Sequence, residues 1–330
     1  MRPPVKNYDF GFDIGGTKCA VILGGIGGDA PAILAKRRFA TADCPSPRAC
    51  LEKMCVLAGE LRLESGLPAD AFRGVGISCG GPLNPVRGII QSPPNLPGWD
   101  DVPAAEIVSS LTGLPARLQN DANACALAEW RFGAGRGTRN MVFLTFGTGM
   151  GAGIIANGAL VSGCSGMAGE CGHIRLAPDG PEGYGKRGSF EGFCSGGGIA
   201  RLARARAEAA LRSGRPFAWC KSAGQLKDIT AKSVAEAADS GDSDAKAVFE
   251  ESGARLGQAL ALLVDILNPE RIVIGSIFAR AEHLLRPAME RAIAAEALPQ
   301  TASACKVVPA ALGEAVGDFA SLAVAEENGR

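Results

Sequence analysis

Asp13-Ile14-Gly15-Gly16-Thr17-Lys18 is a glycine turn set between two apolar runs of strand character, Tyr8 to Phe12 and Cys19 to Leu23. Glycine lets the backbone approach a ligand closely and adopt positive φ, so successive N–H groups can point at phosphate oxygens, and Thr17 adds a hydroxyl donor. The design returns at Thr145-Phe146-Gly147-Thr148-Gly149-Met150-Gly151, with Thr148 in the corresponding place. One such turn would serve an ordinary β-hairpin equally well. Two of them, the first headed by an acid, point to two halves closing on one polyphosphate, and so to phosphoryl transfer.

Outward from the first turn, Ala32 to Phe39 reads as a further strand, Pro47 to Ser65 as an amphipathic helix and Gly74 to Ser78 as a buried strand. That strand runs into the turn-rich loop Cys79 to Pro85, and Ser92 to Gly98 makes a second loop. Pro115 to Leu118 is a short strand that stops at Asn120-Asp121, and Ala122 to Phe132 has helical spacing, which puts a polar pair at a strand–helix junction. The domain boundary falls between about Leu118 and Asn140. Beyond the second glycine turn the chain reads as mostly helical: Ala200 to Arg212, Ser233 to Ala238, Asp244 to Leu267 and about Glu282 to Ala295. Arg271 to Gly275 and a segment ending at Val307-Val308 are strands, and Gly313 to Glu326 is a last helix.

The 330 residues suffice for two domains with separate cores. Lys+Arg and Asp+Glu balance at 34 each, so the net charge favours neither a nucleic-acid nor an anionic-membrane partner. Met1 to Lys6 has no apolar leader core, and the greasiest stretch, Ala259 to Leu267, is short and interrupted by Asp265. The 11 cysteines are scattered singly, several in apolar runs, with no C-x-x-C pair, which fits reduced thiols in the cytoplasm rather than a disulfide framework or zinc ribbon.

Asp121 is the candidate general base, since a carboxylate at a strand end can take the proton of an attacking hydroxyl while Asn120 donates to and accepts from its neighbours. Capping the helix that begins at Ala122 is the plain alternative for Asp121. The segment Gly166-Met167-Ala168-Gly169-Glu170-Cys171-Gly172-His173 favours the first reading, because it places Glu170 and His173 three residues apart in a glycine-rich setting. His283, the only other histidine, lies in a helical run and reads as a satisfied core residue. Gly183 to Ser189 is a polar, flexible stretch leading to Glu191. Asn120, Asp121, Glu170, His173 and Glu191 together would suit a pocket that reads sugar hydroxyls.

With these motifs in order, and with Gly81-Pro82, Pro94-Asn95-Leu96, Asn120-Asp121-Ala122-Asn123 and Asn268 to Gly275 besides, the chain resembles the ROK family of sugar kinases over nearly its whole length. The resemblance implies an α/β, two-domain actin/hexokinase-like ATPase fold, made of duplicated ribonuclease-H-like domains around a central cleft. The small domain would be residues 1–118 plus about 314–330, and the large domain 119–313. It implies that Asp121 is the base and that Gly81, Asn95, Asn120, Glu170, His173 and Glu191 bind sugar. It also implies that Gly15, Gly16, Thr17, Lys18, Gly147, Thr148, Gly149 and Gly275 lie around ATP, that Asp13 acts on Mg²⁺ through water, and that the chain forms a homodimer or homotetramer.

Two departures stand out. The family's zinc site uses the histidine corresponding to His173 and three cysteines whose positions here read Glu182, Tyr184 and Ser189, so no zinc site is expected. The nearby Cys164, Cys171 and Cys194 have no recognised ligand spacing. Gly275-Ser276-Ile277-Phe278 replaces a glycine run on the adenine side. Family repressors carry a DNA-reading module ahead of the kinase-like part, whereas here the glycine turn comes at once, so a transcription factor is not expected. The expectation is therefore an ATP-dependent kinase of the 6-hydroxyl of a hexose or N-acetylhexosamine, with glucose, N-acetylmannosamine and N-acetylglucosamine as candidates. A sugar sensor without turnover is the alternative.

Overall fold

The computed structural model describes residues 7–25 and 31–326. Met1 to Lys6 and residues 327–330, which the sequence reading assigns to a leaderless start and to the end of the small domain, lie outside the described residues.

The opening hairpin seeds a five-stranded sheet. β1 (Tyr8–Ile14) pairs antiparallel with β2 (Lys18–Gly25), and β2 antiparallel with β3 (Ala32–Ala40). Helix α1 (Pro47–Ser65) starts where the Ser46 hydroxyl accepts the Ala49 amide, with proline at its first position, and stops at Gly66 in left-handed conformation. It returns the chain to β4 (Phe72–Cys79), parallel to β1. A small ribbon of β5 (Leu83–Asn84) and β6 (Ile89–Ile90) and helix α2 (Ala104–Thr112) precede β7 (Ala116–Asn120), parallel to β4. The strand order is β3-β2-β1-β4-β7.

Helix α3 (Asp121–Phe132) leads to a second sheet that repeats the pattern. β8 (Met141–Leu144), β9 (Ala152–Ala156) and β10 (Ala159–Leu160) are an antiparallel meander. A ribbon of β11 (Glu182–Gly183) and β12 (Lys186–Arg187) and helices α4 (Phe190–Cys194), α5 (Gly196–Arg212), α6 (Ala231–Asp239) and α7 (Ser243–Leu267) follow. β13 (Arg271–Ile274) then lies parallel to β8. After α8 (Ile277–Glu296) and α9 (Pro299–Ala304), β14 (Lys306–Pro309) lies parallel to β13, and α10 (Val316–Glu326) ends the described chain. The order β10-β9-β8-β13-β14 has the same two antiparallel and two parallel pairings as the first sheet. Each glycine turn of the sequence joins the two strands that open its sheet, so the duplication is structural as well as textual.

Separate cores hold the halves, one around Phe10, Phe12, Val21, Met54 and Ile77, the other around Phe146, Phe190, Phe193, Phe249 and Phe278. α10 does not stay with the second sheet. It packs on β1 and β4, where a side chain at Gly76 would collide with the Ser321 carbonyl, and its Ala323 and Val324 share a third cluster with Ala124, Leu127 and Phe143.

Three sequence readings change. Within the polar stretch 183–189 lies most of the small β11–β12 ribbon, which the sequence reading did not assign. His283 is not a core residue: it is exposed, with Nε2 2.7 Å from Asp239 Oδ1, because its position in α8 faces α6 rather than the core. α2 and α9 go beyond the elements assigned above, since neither has a side-chain cap to announce its start. All 11 cysteines are free thiols, six of them buried. Among the described residues no helix is long and apolar enough to cross a membrane.

Candidate active site

At the junction of β7 and α3 both Asn120 and Asp121 meet the first turn of the helix. Asn120 is the helix cap, its Oδ1 accepting the Ala122 amide at 2.9 Å. Asp121 is the first helical residue, and its Oδ1 accepts the same amide at 2.8 Å, which leaves Oδ2 with no hydrogen bond among the described residues. Solvent reaches Asp121 through a cleft, but protein crowds the carboxyl on its other sides, and this desolvation raises its pKa while the Ala122 amide pulls it down.

That cleft encloses about 650 Å³. Its lining includes Gly81, Asn120, Glu170, His173 and Glu191 and the second glycine turn, Gly147, Thr148 and Gly149. Glu170 and His173 are set by a short 3₁₀ turn, Cys171–His173, entered through Gly169 at φ 101, where a side chain would strike the Ala152 carbonyl. Burial raises the Glu170 pKa, the charges of Asp121 and Glu191 add to this, and His173 opposes it. Glu191, in the first turn of α4, reaches across to accept the Met150 amide on its Oε2 at 2.9 Å.

The first glycine turn and Asn95 do not line this cleft but lie beside it. Gly15 donates to the Lys18 carbonyl at 3.1 Å, and Thr41 braces the turn from outside, its amide bonding the Thr17 carbonyl and its hydroxyl the Gly15 carbonyl at 2.6 Å. Gly16 presses on Asn95 so closely that a side chain there would collide with the Asn95 carbonyl. Asp13, at the end of β1, has its pKa pushed up to about 6, first by burial, then by the Asp318 and Asp121 carboxylates, with Lys36 and Arg38 opposing. It makes no hydrogen bond of its own among the described residues. A half-buried carboxylate with no hydrogen bond of its own has the chemistry to hold a cation through that ion's water shell, though not as part of a three-carboxylate site among the described residues. Gly275 extends the β13–β8 ladder through its amide to the Leu144 carbonyl and does not line the cleft; its neighbour Ser276, at φ 49, does.

The positions corresponding to zinc ligands do not fit that metal. Ser189 is buried and its hydroxyl caps α4, accepting the Gly192 amide at 3.1 Å, while Tyr184 sits in the β11–β12 turn. Among the described residues no group of three His, Cys, Asp or Glu side chains is arranged to hold a metal ion. Pro82, Thr145, Asn123, Tyr184 and Ser276 are cleft residues that the sequence reading did not assign.

Comparison with known proteins agrees with this duplicated, cleft-bearing architecture: the family described as ROK matches residues 9–327. The chain belongs to the ROK family. The glucokinase of Halalkalibacterium halodurans is 38% identical over 246 residues, 74% of this chain and 73% of the relative. The N-acetylmannosamine kinase of Escherichia coli strain SMS-3-5 is 32% identical over 274 residues, 83% of this chain and 84% of the relative. Among solved structures, a ROK family glucokinase from Streptomyces griseus in complex with glucose and AMPPNP superposes with a TM-score of 0.73 at 30% identity, covering 97% of this chain and 100% of that one. As a ROK protein the chain has the two-domain actin/hexokinase-like fold, and the two sheets are its two halves.

Proposed function

We propose that this ROK protein transfers the γ-phosphoryl group of ATP to the 6-hydroxyl of a hexose or N-acetylhexosamine, with Asp121 as general base. It is an ATP-dependent sugar kinase. The observation that carries the finer reading is the state of Asp121, with one oxygen tied to the helix, the other unengaged, and a pKa raised by burial at the cleft floor. A carboxylate whose pKa is raised by desolvation is a stronger base than a solvated one.

In this reading Asn120, Glu170, His173 and Glu191 bind the sugar hydroxyls, with Gly81 and Asn95 shaping the loop beside them. Asp121 takes the proton from the 6-hydroxyl as that oxygen bonds the γ-phosphorus, and the bond from phosphorus to the bridging oxygen of ADP breaks. The turns Gly15 to Lys18 and Gly147 to Gly149 hold the phosphates through Gly16, Thr17, Thr148 and Gly149, since the Gly15 and Gly147 amides close the turns themselves on the Lys18 and Gly149 carbonyls, and Gly275 lies toward the nucleotide. Asp13 would hold the water shell of a bound Mg²⁺, and the ion would supply positive charge beside the phosphates. Residues 1–118 with 314–330 act as the small domain and 119–313 as the large one, closing on the cleft to exclude water as a competing acceptor. The leading sugars are glucose, N-acetylmannosamine and N-acetylglucosamine, and the protein acts in the cytoplasm as a homodimer or homotetramer.

Replacing Asp121 by Asn tests the assignment. The expected result is kcat lowered by about 10²–10⁴-fold with sugar affinity within a few-fold of wild type. Turnover within a few-fold of wild type contradicts it.

A further inference from the structure

The loop between His173 and Glu191 is held by hydrogen bonds. Lys186 Nζ donates to the His173 carbonyl at 2.7 Å, Arg175 Nη1 to the Arg187 carbonyl at 2.7 Å, and the Phe190 amide to the Ile174 carbonyl at 2.8 Å. At its tip, Tyr184 and Gly185 form the two-residue turn of the β11–β12 ribbon, both at positive φ, 45° and 72°. Such turns favour Asn, Asp or Gly at their first position, and a bulky side chain there is held against a conformational cost. This one is Tyr184, a residue 78% exposed that lines the cleft and whose ring meets the His173 imidazole edge-on, with centroids 6.4 Å apart at 79°. A strained turn that holds a large apolar ring in a binding cleft points to use of that ring.

We propose that Tyr184 is an acceptor-side residue: its ring forms the mouth wall of the sugar site, packs on the apolar C–H face of a pyranose, and positions the His173 imidazole by edge-on contact. This rests on the sugar-kinase reading above. The loop so described needs no metal. Three donors and a capping hydroxyl fix its backbone, and the aromatic contact orients the histidine.

Tyr184→Gly is the informative variant, because glycine relieves the turn and keeps the ribbon while removing the ring. By calorimetry with D-glucose and N-acetyl-D-mannosamine, the Kd of whichever sugar binds is expected to rise about 10-fold, about the loss of one aromatic contact. KM for ATP should stay within two-fold and Tm should be unchanged or higher. Tyr184→Phe, which keeps the ring, should bind within about two-fold of wild type. The chain has only two histidines, so imidazole NMR gives a second reading: the His173 ring signals should shift in Tyr184→Gly and those of His283 should not. Equal sugar affinity in wild type and Tyr184→Gly, unmoved His173 signals, or one zinc per chain in metal analysis overturns the proposal. A wild type that binds sugar without turnover contradicts the kinase reading instead and leaves the Tyr184 comparison readable.

Discussion

Glu191 Oε2 accepts the amide of Met150 at 2.9 Å across 41 residues of sequence, tying helix α4 to the second glycine turn. A side chain at Gly149 would come within 2.9 Å of the same oxygen. One carboxylate thus lines the cleft and holds the turn. Glu191→Ala leaves the Met150 amide unpaired, at a cost of about 1–3 kcal/mol of stability, and should lower kcat/KM. KM should rise for ATP and sugar together. Glu191→Gln, which retains an acceptor oxygen, should fall between wild type and alanine. Initial-rate kinetics varying both substrates decide this, and an unchanged KM for ATP in Glu191→Ala contradicts the coupling.

Asp13 should trade stability for function. Its folded-state pKa of about 6 lies above the ordinary 3.8, so the folded form binds the proton more tightly. The stability this gives is complete below the unfolded value and is lost as pH rises through about 6. Asp13→Asn should therefore raise the Tm of the ligand-free protein at pH 7.5, by up to about 1–3 kcal/mol of stability after allowance for partial exposure. The gain should vanish near pH 4. The same variant should lower kcat/KM for Mg-ATP by at least about 10²-fold. Thermal melts at two pH values check the first half, and a variant no more stable than wild type at pH 7.5 contradicts it.

The return of α10 to the first sheet rests on missing side chains. Gly76 of β4 faces the backbone of Ser321, and Gly11 of β1 faces its hydroxyl. Gly76→Ala should destabilise by about 1–3 kcal/mol or more in denaturant titration, with early exposure of α10 to hydrogen exchange. Loss of less than about 0.5 kcal/mol would mean that α10 packs elsewhere in solution.

The architecture was legible where chemistry is local. Both glycine turns announce themselves by composition between apolar runs, and the Asn120-Asp121 pair marks a strand end because the apolar pattern changes period there. Cap and candidate base could not be told apart from sequence, since Asn and Asp both cap helices; in the structure both side chains accept the Ala122 amide, with Asn120 at the cap position. Glu191 was legible as a cleft residue, but its bond to Met150 joins elements too far apart for spacing to reveal. Tyr184 and Ser276 were missed because their positive φ places ordinary side chains where glycine or asparagine is the usual signal. His283 misled because helical spacing alone does not say which face is buried.

The central claim is tested most directly by coupled measurement of ADP release with ATP, Mg²⁺ and, in turn, glucose, fructose, mannose, N-acetylglucosamine and N-acetylmannosamine, with the product identified by ³¹P and ¹³C NMR. Sugar-dependent, sustained ADP formation with one or more of them, and phosphate on the 6-oxygen of the product, is the predicted result. ADP release that no sugar stimulates, or phosphate on another oxygen, would contradict it.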